Sequence, residues 1–277
     1  MEAVLYVGHG SRVEQGNEQL RSFVSEAMAS VDITIQELCF IELTEPTIAS
    51  GIDACVKRGA TSIAIIPVLL LTAGHAKVDI PREIMRAQTI YPDITFRYGR
   101  PFGVTETVIT VIGERLKEKG FLFESESRPT MQERQDVSLL VVGRGSSDPD
   151  ANSDLAKISR LVWEHYPVTF VETCYLAATS PSFDEGLDRV LTLPTKTVYV
   201  LPYLLFTGVL MKRMEEKIDS FQRRNKQVIL CDYLGFHSKL IHVLIERVNE
   251  VVGGRYNFLI TDESDRSSQL KTMEARV

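Results

Sequence analysis

The sequence predicts an α/β fold built from two duplicated lobes, each a parallel sheet with helices on both faces. Three observations carry that expectation. Short β-branched runs alternate with longer stretches of helical period, the chain repeats itself at a constant offset, and its 277 residues exceed the usual size of one domain.

The repeat is legible residue by residue. VGHGS, ending at Ser11, returns as VGRGS, ending at Ser146, so that Gly8 and Gly143 stand 135 positions apart. At the same shift Glu37 meets Glu172, Cys39 meets Cys174, Pro46 meets Pro181 and Gly51 meets Gly186. IPVLLLTAGHAK, residues 66–77, faces LPYLLFTGVLMK, residues 201–212, with Pro67, Leu69, Leu70, Thr72 and Lys77 unchanged in the partner. Chance does not hold one register over so many positions, whereas duplication does.

Each element follows from its local pattern. AVLYV is a short buried strand, and GNEQLRSFVSEAMAS after it has apolar residues at helical spacing. ITIQELCF then precedes TIASGIDACVKRG, SIAIIPVLLL precedes AKVDIPREIMRAQ, and ITFRYG precedes TETVITVIGERLKEKG. Strands alternating with helices of this length imply a parallel sheet joined by right-handed crossovers. The charged, proline-bearing FLFESESRPTMQERQD, residues 121–136, predicts a linker between lobes at 1–120 and 137–253. Residues 254–277 are expected to form a polar, partly disordered tail.

Composition excludes several classes. Hydrophobic residues make up 44% and charged residues 25%, and the longest apolar run, IAIIPVLLL, falls short of the roughly 18 to 20 residues of a spanning helix. The N-terminus lacks a basic segment followed by an apolar one, so a cytoplasmic protein without a membrane partner is expected. A net charge of −6 argues against nucleic acid as a partner, and any anionic ligand needs a local basic patch. Cys39, Cys55, Cys174 and Cys231 show no CxxC spacing and read as core residues. The expected assembly is a monomer or a weak homodimer.

The candidate site comes from comparing the copies. In an open parallel sheet, ligands bind beyond the carboxyl ends of the strands, where the strand order reverses. His9 follows the first strand, Glu42 the second and His75 the third, at matching intervals of 33 residues. The second copy has Arg144, Ala177 and Leu210 in their places, so both imidazoles and the carboxylate are missing together. Two imidazoles and a carboxylate suit a divalent first-row metal and leave coordination positions open.

Other polar residues carry weaker signals. Ser11 and Ser146 precede helices and read first as N-caps, with Ser11 also a candidate for substrate binding. Lys77, Arg82, Arg144, Lys212 and Arg213 either meet substrate carboxylates at the rim or remain solvated helix-surface charges. His165, His237 and His242 have no partner spacing and read as structural, and Trp163 reads as core packing.

With YVGHGSR, FIELTEPTI, LLLTAGHAKVDIP, VGRGSSDPD and LPYLLFTG in view, nearly the whole chain resembles the class II tetrapyrrole chelatases, above all the two-lobed sirohydrochlorin ferrochelatases of sirohaem synthesis. The resemblance implies two flavodoxin-like lobes facing across a cleft, with metal-handling histidines in one lobe only. Carried onto this chain, it assigns His9 and His75 as catalytic metal-site histidines and Glu42 as the accompanying ligand. It implies no permanently bound cofactor, with Fe2+ or Co2+ as a substrate beside sirohydrochlorin. Sirohydrochlorin carries eight carboxylates, for which Arg144, Lys77 and Lys212 are candidate contacts, while the LLFTG stretch is a candidate apolar surface for the flat ring. The long cobaltochelatases often carry a C-terminal histidine-rich stretch that ESDRSSQLKTMEARV lacks, which favours iron. No GxxxxGK[ST] loop is present, so no ATP requirement is implied. A cobaltochelatase and a non-catalytic metal or tetrapyrrole carrier remain as alternatives; a nonhaem iron oxygenase and a histidine phosphatase fit the βα duplication and Gly8 poorly.

Overall fold

The computed structural model describes residues 1–123, 128–205, 209–220 and 225–257. The first half runs β1 (Glu2–Gly8), α1 (Glu14–Ala29), β2 (Ile35–Phe40), α2 (Ile48–Lys57), β3 (Ser62–Pro67), a π turn (His75–Asp79), α3 (Ile80–Ile90), β4 (Thr95–Tyr98) and α4 (Glu106–Glu118). The second half runs β5 (Gln135–Gly143), α5 (Pro149–His165), β6 (Val168–Tyr175), α6 (Phe183–Thr192), β7 (Thr197–Tyr203), α7 (Val209–Ser220), β8 (Gln227–Leu230) and α8 (Ser238–Val252). Residues 124–127 of the expected linker, 206–208 of LLFTG and the tail beyond 257 lie outside the described residues.

All pairings are parallel, and the two sheets have the same order, β2-β1-β3-β4 and β6-β5-β7-β8. The order reverses between β1 and β3, and again between β5 and β7, so each sheet has its crevice beside its first strand. Fully buried strands read as continuous apolar runs, and their alternate residues divide between two cores. Ala3, Leu5 and Val7 face an outer core with Ile52 of α2 and Ile80 and Ile84 of α3. Leu140, Val142, Val198 and Val200 form the matching outer core with α6 and α7.

The inner faces are different. Val4 and Tyr6 of β1 belong to one continuous core with Leu139 and Val141 of β5, through residues of α1, α4, α5 and α8. In that shared layer the last helix of each half reaches the other sheet: α8 packs on α1 and β3, and α4 packs on α5 and β7. Buried Arg247 of α8 donates from Nε to the Pro101 carbonyl at 3.1 Å and from Nη2 to the Phe102 carbonyl at 2.7 Å. Arg97 of β4 donates to the Val251 and Val252 carbonyls at 2.9 and 3.0 Å, a favourable end for a cation on α8. Reciprocally, the Tyr166 hydroxyl donates to the Ile109 carbonyl of α4 at 2.8 Å, over Gly113, where an added Cβ would stand 2.2 Å from that hydroxyl.

Each half therefore buries a core of its own on its outer face alone, and the inner core is shared. Amphipathicity predicts that α4 and α8 bury an apolar stripe, but not which sheet receives it. Trp163 packs against the inner core as expected, half-buried, with its indole also flanked by the guanidinium groups of Arg134 and Arg160 at 3.5 and 4.4 Å from the ring centroid.

Candidate metal centre

His9, Glu42 and His75 meet at the crevice of the first sheet. Each offers one ligand atom, and the three atoms lie within 4.8 Å of one another. The backbone enforces the first contact. Gly10 has φ +90, and an added Cβ would stand 1.9 Å from the Glu42 carbonyl oxygen, so only glycine lets the β1 and β2 loops approach. The Glu42 amide then donates to the His9 carbonyl at 3.1 Å. His9 Nε2 and Glu42 Oε1 are 3.7 Å apart.

Both imidazoles have a defined tautomer. The His9 Nδ1 lies 3.0 Å from the Gly10 carbonyl, which can only accept, so Nδ1 carries the proton and Nε2 keeps its lone pair. That Nε2 is buried and has no hydrogen-bond partner among the described residues. His75 Nδ1 lies 2.8 Å from Asp79 Oδ2, which fixes its proton the same way and again leaves Nε2 as the ligand atom. The rings meet edge to face with centroids 4.7 Å apart. Metal–ligand bonds of about 2.1 Å place tetrahedral ligands about 3.4 Å apart, so a small side-chain contraction would close this set on an ion.

Burial lowers the His9 pKa below the ordinary histidine value; the Gly10 hydrogen bond opposes it, His75 and Arg144 add to it, and Glu42 opposes it. The shift favours the neutral imidazole, the form in which a histidine can bind a metal.

The π turn gives His75 its place. The Ile80 amide reaches back to the His75 carbonyl, and the buried Tyr98 hydroxyl donates to the Ala76 carbonyl at 2.8 Å, pinning the turn from beneath. Such wide turns concentrate at functional sites. The matching stretch of the second half, in α7, is regular α-helix.

A cleft of about 390 Å³ opens beside His9 and His75, with lining from both halves. Its walls are largely apolar, with Leu69, Leu70, Leu204 and Leu205 among them, and Arg12 and Arg144 also line it. The Tyr203 phenol, in the same lining, is buried and has no hydrogen-bond partner among the described residues, where the first copy has Val68.

The remaining expected contacts divide. Ser11 lines the cleft, yet its hydroxyl accepts from the Val13 amide at 3.0 Å, as Ser146 does from Asp148. Neither is the helix cap; the cap of α5 is Asp148, whose side chain accepts from the Asp150 amide. Lys77 points across to the second half and pairs with Asp148 at 2.9 Å and Asp150 at 2.5 Å. Its partial burial works against the charge, but hydrogen bonds to Asp150 and Asp148 raise its pKa overall. Lys212 and Arg213 are exposed on α7, away from the cleft lining, and Arg82 stands 3.6 Å from Asp79.

Asp79, Arg12 and the Lys77 tie escaped the sequence reading. HAKVD contained the signal for the first, since a histidine and an aspartate four residues apart share a helix face.

Comparisons with known proteins identify the family. Residues 3–119 and 138–251 match the CbiX family. The chain is 44% identical over 257 residues to a sirohydrochlorin ferrochelatase of Priestia megaterium, covering 93% of each chain. It is 45% identical to a sirohydrochlorin cobaltochelatase of the same organism, covering 92% of this chain and 81% of the relative. Among solved structures, SirB from Bacillus subtilis with Fe3+ superposes with a TM-score of 0.82 at 38% identity, covering 93% of this chain and 99% of that one. SirB from Bacillus subtilis subspecies spizizenii in complex with cobalt superposes with a TM-score of 0.78. A family match across both halves, relatives of this identity over nearly the full length and a shared two-sheet fold place the chain in the CbiX family of chelatases.

Proposed function

We propose that this protein inserts Fe2+ into sirohydrochlorin to form sirohaem, without ATP, using His9, Glu42 and His75 to present the ion. The observation that carries the reading is that two imidazole Nε2 atoms and a carboxylate converge at the edge of an apolar cleft of about 390 Å³. The identity to a relative named as a sirohydrochlorin ferrochelatase supports the same substrate.

Insertion exchanges two pyrrole N–H protons for one divalent ion, so the site has to deliver a metal and remove protons. Three protein ligands leave the ion partly hydrated and able to depart. As it passes to the ring nitrogens, each Nε2 regains a free lone pair. His9, favoured in its neutral form by burial and braced by a carbonyl, is suited to act as ligand. His75, whose Nδ1–H is held by the Asp79 carboxylate, turns its freed Nε2 outward and serves as the proton acceptor. Arg144 offers a permanent cation to a substrate carboxylate at the wall opposite the metal ligands.

Cobalt is the second reading, favoured by the 45% identity to a relative named as a cobaltochelatase. Anaerobic absorbance spectroscopy of the protein with sirohydrochlorin and either Fe2+ or Co2+ tests both. Protein-dependent growth of the metallated spectrum, faster with iron and lost in His9→Ala, is the expected result. A rate equal to the spontaneous one with both metals would leave a carrier as the better account.

A further inference from the structure

Three features of the cleft point beyond the metal ligands. First, among the described residues no aspartate or glutamate lines it, although the chain carries 37 acidic residues against 31 lysines and arginines. Second, its two arginines come from opposite halves, and among the described residues neither Arg12 nor Arg144 has an ion pair or hydrogen bond from its guanidinium; both are exposed. Arg58, Arg97, Arg100, Arg115 and Arg247, by contrast, each hold a carboxylate. Third, the two acids nearest in sequence to Arg144, Asp148 and Asp150, are both taken by Lys77 from the other half.

The repeat shows that this pairing is no symmetric leftover. Arg144 occupies the place of His9, and Arg12 the place of Ser147, so the two cations come from non-equivalent positions. Resting on the chelatase reading above, we propose that Arg12 and Arg144 form a two-sided guanidinium clamp that selects flat macrocycles carrying carboxylates around their rim. The apolar walls receive the ring, and a planar guanidinium on each side takes one edge carboxylate in bidentate fashion. The Lys77 pairs bind the metal-bearing turn to the head of α5, which holds the two walls at a fixed spacing and leaves the arginines free for ligand. A macrocycle with few carboxylates reaches one arginine at most.

The test is metal-free fluorescence titration of the full chain with uroporphyrin III, which has eight carboxylates, and deuteroporphyrin IX, which has two. The wild type is expected to bind the octacarboxylate at least about tenfold more tightly, the size of one or more charge-assisted hydrogen bonds. Arg12→Gln should remove most of that preference while leaving the dicarboxylate Kd within about twofold, and Arg12→Lys should restore part of it. Thermal unfolding of each variant, unchanged from the wild type, separates this from loss of fold. An Arg12→Gln protein that keeps the full preference overturns the clamp. Parallel sirohydrochlorin metallation keeps the two ideas apart: selectivity that depends on Arg12 without metallation sinks the chelatase reading and supports the clamp, whereas metallation with Arg12-independent selectivity sinks the clamp alone.

Discussion

The two halves share a sheet order and a loop and differ in what the loop presents. Gly10 and Gly145 have φ +90 and +86, and in each an added Cβ would stand 1.9 Å from a carbonyl oxygen, of Glu42 or of Ala177. The Glu42 and Ala177 amides bond to the His9 and Arg144 carbonyls at 3.1 and 2.9 Å. One scaffold thus presents a histidine of a three-residue group that could hold a metal in one copy and an arginine in the other. The difference extends to the backbone, since His75 sits in a π turn while its counterpart region continues as α7. Duplication preserved the device that brings two loops together, and divergence decided what each copy does with it.

The largest expected effect breaks that asymmetry at its source. His75→Ala should lower the rate of metal insertion about a thousandfold, the scale of a lost proton acceptor that is also a ligand; stopped-flow absorbance checks it. A rate within tenfold of wild type would move the proton-accepting role elsewhere.

Next is the exchange of helices between the halves. Arg247→Ala removes a buried guanidinium that holds α8 against the first half and pairs with Glu250, and should destabilise the fold by about 3 kcal/mol. Because the inner core is continuous, both halves should unfold in one transition in a urea titration followed by circular dichroism. Two separated transitions would show that the halves are energetically independent despite the shared layer.

Asp79→Asn is a finer probe of the metal side. It keeps the size of the partner but removes the carboxylate from His75, and should cost 10- to 100-fold in insertion rate or metal affinity, the usual scale for a residue that orients a ligand. Isothermal titration with Co2+ beside the rate measurement separates the two. The smallest effect belongs to the tie across the cleft. Lys77→Ala should destabilise by about 1 kcal/mol, an effect that shrinks in high salt, because Asp150 is solvent-exposed.

Much of this site was legible without coordinates. The 135-residue register exposed the duplication, and the strand-to-helix alternation implied parallel sheets. His9, Glu42 and His75 stood out because strand ends of one sheet share a rim. What those positions bring together in space was left to the folded chain, as were Asp79 and Arg12. Asp79 was a matter of weighting, since HAKVD displayed the spacing and the π turn that uses it has no local signature in an apolar pattern. Lys77 was misplaced for a different reason: its partners lie 71 and 73 residues away, and no periodicity links them.

The sequence by itself determined what depends on neighbours in the chain: element type, from the period of apolar residues; the repeat, from identity at fixed shift; and the loop glycines that allow the close approach. Only the tertiary structure decided which sheet each amphipathic helix covers. The apolar stripes of α4 and α8 record that they must be buried, and burial is nondirectional, so either sheet satisfies them. The choice was made by directional contacts between distant segments: Arg247 on the Pro101 and Phe102 carbonyls, Arg97 on the end of α8, and Tyr166 over Gly113. Those contacts fuse the inner cores and set the two walls of the cleft face to face.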